Sequence, residues 1–436
     1  MSGPLEDAAG LATTAASADA VGAWDALLDA YGAFSPTVPE RLRDLLTADP
    51  EMPLAQSARA ALLLLSGKGE QVPAARRAAQ QALRLAARGT PRERLHAEAV
   101  VAWTGGADDR AVALWERILE ETPRDFLALK LAQFGHFYAG GGMPMLRSVE
   151  GVAEAWGPTV PRYPRFLGLR AFALEENGRL GEAEQCGREA CALGPDDPWA
   201  IHAVAHCLET RGAPAEGTAW IDAHAAHWTG AGTMDGHLRW HRALFALETE
   251  GADAVARDFA ARYHVAASEE YLDLCNDVAL LERLALRGVD VRVAREAVAD
   301  AIRTRDGDHL LAFCDVHWVL GHAAAGRFAE AERVLAGMRD RAAGDGPEAE
   351  RWRRAGVPVA EGCLAYHRGA PDRAAEAFGA GREDRVLLGG SHAQRDLFEQ
   401  LYLDALARAG RRAELTPLLR ERTRLRPHEH WQPAVG

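Results

Sequence analysis

His202 and His206 stand four residues apart in "WAIHAVAHCLETRG", residues 199–212, and Glu209 follows three later. Asp197–Pro198 before them and Gly212 after them are helix start and stop signals, so the three side chains share one helix face. Comparable sets recur downstream: His241 with Glu248, Asp273 with Asp277, Asp315 with His317 and His322, and His392, Arg395 and Asp396 in a first turn capped by Ser391. Neutral imidazoles with a carboxylate can hold a divalent metal, with His202, His206 and His241 the most economical ligands. Histidine beside a carboxylate is also a general acid–base, which makes His206, His241, His317, His392 and Asp277 the catalytic candidates. His202, Glu209, Asp273, Asp315, Arg395 and Asp396 complete a ligand-binding set, in which Arg395 can grip a carboxylate or phosphate with two hydrogen bonds.

Each signal also has a purely structural explanation. An HxxxH pair on a helix commonly satisfies itself, and the zincin motif is absent because Ala203, Val204 and Ala205 separate the histidines. His224 and His227 fall on a second helix and read as packing residues. Trp199, Trp220, Trp228, Trp240 and Trp318 read as wedges between helices, and Arg395 can pair with Asp396. "GGS" at 389–391 reads as a tight turn rather than an anion site. No phosphate-binding glycine loop, nucleophile elbow or CxxC zinc spacing occurs.

The elements that must position these residues repeat. In "LEENGRLGEAEQCGREACALGPDD", Gly178 is preceded by Leu174 and followed by Ala183, Ala190 and Pro195, and Leu208 and Gly212 match Leu174 and Gly178 34 residues on. That is tetratricopeptide spacing: a small residue between two helices and a proline closing the second. Further turns fall at Gly69, Gly106, Gly140, Gly251, Gly288, Gly326, Gly369 and Gly410. The reading is an all-α chain, an α-solenoid of about ten tetratricopeptide-like helical hairpins in a right-handed superhelix. One solenoid spans residues 23–427, after a flexible lead-in over 1–22 and before a tail over 428–436. With Gly212 as repeat position 15, His202, His206 and Glu209 take positions 5, 9 and 12, which line the concave bore.

Composition agrees. Strand-like alternation is nearly absent, 48% of residues are hydrophobic and 7% aromatic, and no apolar run is long enough to span a membrane. A net charge of −13 without a basic block argues against a nucleic-acid partner. The six cysteines form no CxxC pair and sit in apolar helical patterns. Together with a start that lacks a secretory pattern, they predict reduced thiols and a cytoplasmic protein.

The stretches "HAVAHCLETRG", "GHLRWHRALFALE", "YLDLCNDVALLERLALRG", "FCDVHWVLGHAAAGRFAEAERVL", "GGSHAQRDLF" and "LLRERTRLRP" arrive in the order of the tetratricopeptide repeat protein 38 family, which the chain resembles over most of residues 25–427. The resemblance implies an all-α cytoplasmic repeat protein with no reaction to inherit. Its polar positions fall on His202, His206, Glu209, His241, Asp273, Asp277, Asp315, His317, His392, Arg395 and Asp396. Leu238 replaces the asparagine common after the histidine of "GHLRWH", and Cys275–Asn276 separate the two aspartates. Three functions stay open: a concave surface that binds a peptide or protein segment, a chamber for a small-molecule ligand or for acid–base catalysis, and a variant of that chamber with a divalent metal as its cofactor. Oligomeric state is not encoded in any of these features.

Overall fold

The computed structural model describes residues 5–426 and 429–433. Its helices are α1 (Ala18–Gly32), α2 (Val38–Ala48), α3 (Pro53–Leu65), α4 (Val72–Ala86), α5 (Pro91–Thr104), α6 (Asp108–Glu121), α7 (Phe126–Tyr138), α8 (Gly142–Gly151), α9 (Tyr163–Glu175), α10 (Leu180–Leu193), α11 (Pro198–Thr210) and α12 (Pro214–Ala223). They continue with α13 (Ala225–Trp228), α14 (Thr233–Thr249), α15 (Ala252–Asp258), α16 (Tyr271–Ala285), α17 (Arg292–Ile302), α18 (Ala312–Ala324), α19 (Phe328–Ala342), α20 (Pro347–Arg351), α21 (Val357–His367), α22 (Pro371–Ala380), α23 (His392–Arg408) and α24 (Arg412–Leu425). Successive helices pack as hairpins, among them α3 with α4, α5 with α6, α9 with α10, α18 with α19 and α21 with α22. The fold is the all-α array of tetratricopeptide-like hairpins that the sequence predicts.

The turns are where the repeat spacing puts them. Gly106, Gly140, Gly178, Gly212, Gly251, Gly288, Gly326, Gly369 and Gly410 all adopt positive φ. At Gly178, φ is +75°, and Arg179 N–H donates to the Leu174 carbonyl, closing α9 before α10 departs. The turn expected at Gly69 falls instead at Gly67, and Gly69 opens a short 3₁₀ turn.

Two compact units divide the chain. One holds the residues up to Phe137, Gly141–Val204 and Ala225–Met234; the other holds Tyr138–Gly140, Ala205–His224 and the residues from Asp235 onward. In the first, the expected flexible lead-in is ordered from Leu5. Leu5–Glu6 and Ala12–Thr13 pair antiparallel, and Ser17 caps α1. Buried Arg92 on α5 explains the order: its charge meets Asp7 at 3.5 Å and Asp125 at 3.0 Å, and it donates to Thr13 Oγ1 at 2.8 Å. A buried guanidinium needs such partners.

The second unit is layered. Every residue of α18 from Ala312 to Ala323 is buried, whereas α19 buries only the stripe Ala331, Val334, Leu335 and Met338. A helix apolar all round belongs inside and an amphipathic one outside. Inner helices meet one another, α16 with α18, α18 with α21, and α21 with α23. Contacts are close enough that Gly217 on α12 lies against the Phe245 ring, leaving no room for a Cβ. All six cysteines are buried and outside any disulfide.

Residues 429–433, expected as tail, are also held. Trp431 is 4% exposed and its indole N–H donates to the Leu286 carbonyl. Arg422 grips Asp396 with both arms (2.7 and 2.9 Å) and Glu429 with two more bonds of 2.6 Å. Arg426 reaches Glu209 at 2.7 Å. The remainder of the expected tail, His428 and residues 434–436, lies outside the described residues.

Candidate functional site

Helix α14 carries His237 and His241 one turn apart, and α11 brings His206 beside them. The His206 and His241 ring centroids are 4.5 Å apart, and those of His237 and His241 4.8 Å. One nitrogen from each of the three lies within 4.8 Å of the others, and all three side chains are buried. Trp240 walls the group, stacked on His237 at 5.5 Å. Asn276 of α16 sits 3.3–3.4 Å from His237 Nδ1, in place to accept its proton and turn Nε2 toward the cluster. Position 236 is glycine because the Asp273 carboxylate occupies the space a Cβ would need.

Burial, reinforced by the neighbouring charges of His237, His392 and Arg395, pushes the His206 imidazole well below its ordinary value. Burial does the same to His241, helped by His206, His237 and Arg283, and it lowers His237 to about 4. The cluster is therefore neutral at physiological pH. Each ring then keeps one N–H and one free lone pair, which suits metal ligation, and none is an imidazolium that could act as a general acid.

Most of the other expected site residues have partners of their own. His202 belongs to the first unit, where it is buried and stacks on Phe172 with ring centroids 5.4 Å apart. His392 and Arg395 form the first turn of α23, behind the two left-handed glycines 389 and 390 and the Ser391 cap. Arg395 donates to the Gly390 carbonyl and lies 3.4 Å from His392 Nδ1. Asp396, expected as its partner, turns away to Arg422. Glu209 pairs with Arg426, Asp273 accepts from Ser268 at 2.6 Å, and Asp277 faces His264 at 2.7 Å. Asp315 faces His309 at 2.5 Å, while His317 Nδ1 donates to the Phe313 carbonyl and its ring lies among Phe313 and Phe398. Burial raises both Asp273 and Asp315 to about 6. His206, His241 and the His392–Arg395 turn are thus brought together; Asp273, Asp277 and Asp315 have local partners of their own.

Two residues escape the sequence reading. His237 falls outside the repeat positions that line the bore, although its four-residue spacing to His241 duplicates that of His202 to His206. Arg283 stands in no motif. It is 2% exposed, donates only to the carbonyls of Ala279 and Ala393, and meets no carboxylate at ion-pair distance among the described residues.

No protein-family model matches the chain. Among solved structures, a monomeric IFIT1 mutant with Gppp-AAAA is 14% identical, with 93% of this chain and 94% of that chain covered and a TM-score of 0.41. Naa15/Naa10 bound to HypK-THB is 13% identical over 92% and 68% of the two chains, with a TM-score of 0.27. The P58(IPK) TPR domain is 15% identical over 88% and 99%, with a TM-score of 0.21. No helix among the described residues is long and apolar enough to cross a membrane.

Proposed function

We propose that this helical-repeat protein binds a ligand at a divalent transition-metal ion held by His206, His237 and His241. The observation that carries the reading is the convergence of three buried imidazole nitrogens within 4.8 Å, from two helices. Three protein ligands leave a metal such as zinc one open position. The positive charges of Arg395 and Arg283 near the cluster favour an anionic ligand group there. His202 shares the α11 face of His206 by its four-residue spacing and is the remaining candidate donor. Acid–base chemistry by the histidines themselves is the weaker reading, because burial disfavours the imidazolium form that such chemistry must populate.

The motif order supports membership of the tetratricopeptide repeat protein 38 family, and six buried thiols outside any disulfide support a reducing, cytoplasmic setting. The test is metal content. Protein purified without chelator, or reconstituted with cobalt(II), is expected to hold one ion per chain with tetrahedral-type cobalt absorption. His206→Ala and His241→Ala should abolish uptake while the helical circular dichroism persists. Stoichiometric binding that survives both changes, or no binding by the wild type, would reject the reading.

A further inference from the structure

A second, separate feature lies in the unit containing residues 235–433. A cleft of about 70 Å³ opens between α11, α14, α16 and α23, with Arg283, Glu209 and Gln400 on its walls beside Leu244, Phe245 and Leu247. Its polar groups are unevenly matched. Buried Arg92, Arg242, Arg305 and Arg422 each contact a carboxylate, but Arg283 does not. Asp396 cannot serve it, because Oδ1 and Oδ2 are taken by Arg422 and Oδ2 also accepts from Gln400 Nε2 at 2.7 Å. Burial lowers the Arg283 guanidinium only to about 10, so its charge persists at neutral pH. A buried cation without a carboxylate in contact is destabilising until an anion arrives. Opposite in kind, Gln400 Oε1 and Glu209 Oε2 are buried acceptors with no donor. Arg426 occupies only the other oxygen of Glu209.

The cleft therefore holds a guanidinium with no paired carboxylate and two acceptor oxygens with no donor. Beside them Leu244, Phe245 and Leu247 form an apolar patch among further charged side chains such as Glu248, Arg287 and Arg426. We infer that it binds a small zwitterion of the α-amino-acid class, with the carboxylate on Arg283, the ammonium on Glu209 and Gln400, and the side chain against Leu244, Phe245 and Leu247. Size agrees: at roughly 10–15 Å³ per water-sized group, the volume holds about five to seven heavy atoms, the size of glycine, alanine or serine. The site shares the charge of Arg283 with the proposed metal pocket but uses none of its histidines, so metal-free protein tests it separately.

Calorimetric titration of the full-length protein with glycine and L-alanine, and with acetate and methylammonium as half-ligands, tests it. Saturable binding of an amino acid is expected, at least roughly tenfold tighter than either half-ligand. Arg283→Gln should abolish it, and Gln400→Leu should weaken it by roughly tenfold. Should Arg283→Gln lose its helices, Glu209→Gln decides, with a similar weakening expected. Wild-type affinity in a folded Arg283→Gln or in Glu209→Gln, acetate binding as tightly as alanine, or no saturable binding of either amino acid overturns the inference.

Discussion

Arg422 and Asp396 lie 26 residues apart in sequence, yet they meet through two parallel hydrogen bonds, with both side chains largely buried. Burial pushes the Asp396 carboxyl upward, but the charges of Arg422 and Arg426 outweigh it and hold the group well below the carboxylate range. Removing one partner strands the other charge. Arg422→Ala is expected to cost about 3 kcal/mol of unfolding free energy, within the range for breaking a buried pair. Urea denaturation at pH 7 measures it; a loss under about 1 kcal/mol, the level of exposed pairs, would show the clasp to be ornamental.

Two glycines should fail for different reasons. Gly178→Val forces a β-branched residue to φ +75° with open space around it, so the cost is conformational, roughly 1–2 kcal/mol or somewhat more. Gly217→Ala leaves the backbone content but drives a methyl into the Phe245 ring, costing about 1–3 kcal/mol. Adding Phe245→Leu should recover part of the second loss and none of the first. Thermal denaturation of the two single and two double variants decides between these mechanisms.

His317 makes stability depend on pH. Burial, aided by the charge of Arg283, lowers its imidazole to about 4. Between that value and the unfolded value near 6.5, the unfolded chain binds a proton that the folded chain refuses, so stability falls as pH falls through this window. The limit is about 3 kcal/mol, at roughly 1.4 kcal/mol per pH unit. Asp315, raised by burial to about 6, acts oppositely: its folded form gains a proton first, adding stability as pH falls from about 7 towards 4. His317→Gln should flatten the acid-side loss and Asp315→Asn should steepen it. Parallel unfolding curves at pH 7 and 5 provide the check.

Helix α11 contributes its residues through Val204 to one unit and those from Ala205 to the other. A helix so shared argues that the chain unfolds in one transition, as one solenoid. Limited proteolysis is expected to yield no stable fragment ending near residue 200; a folded fragment of that kind would sink the one-solenoid proposal.

The hairpin register was legible because the turn requirement is local. A left-handed residue between two packed helices demands glycine, and the spacing of Gly178 and Gly212 announces it without any tertiary information. The Ser391 cap was legible for the same reason: Ser391 and Gln394 satisfy each other's backbone within one turn. Partner choice was not legible. Asp396 stands next to Arg395 in sequence, but adjacent helical residues point apart, and its true partners lie on α24 and just beyond it. Arg283 looks like any surface arginine until its surroundings reveal that no carboxylate accompanies it. His237 repeats with His241 the spacing of the first pair, but it falls at none of the repeat positions that line the bore.

Stacked hairpins ordinarily behave as a one-dimensional lattice, in which each repeat senses only its neighbours and an end can fray without disturbing the middle. Arg426 on Glu209 and Trp431 on Leu286 tie α24 and the residues just after it to helices several repeats earlier. Such long ties close the lattice on itself within the unit that contains them. Fraying from the C-terminal end then requires contacts with several repeats to break at once, so the end of the chain, usually the first part of a repeat array to exchange its amide hydrogens, should here be among the slowest.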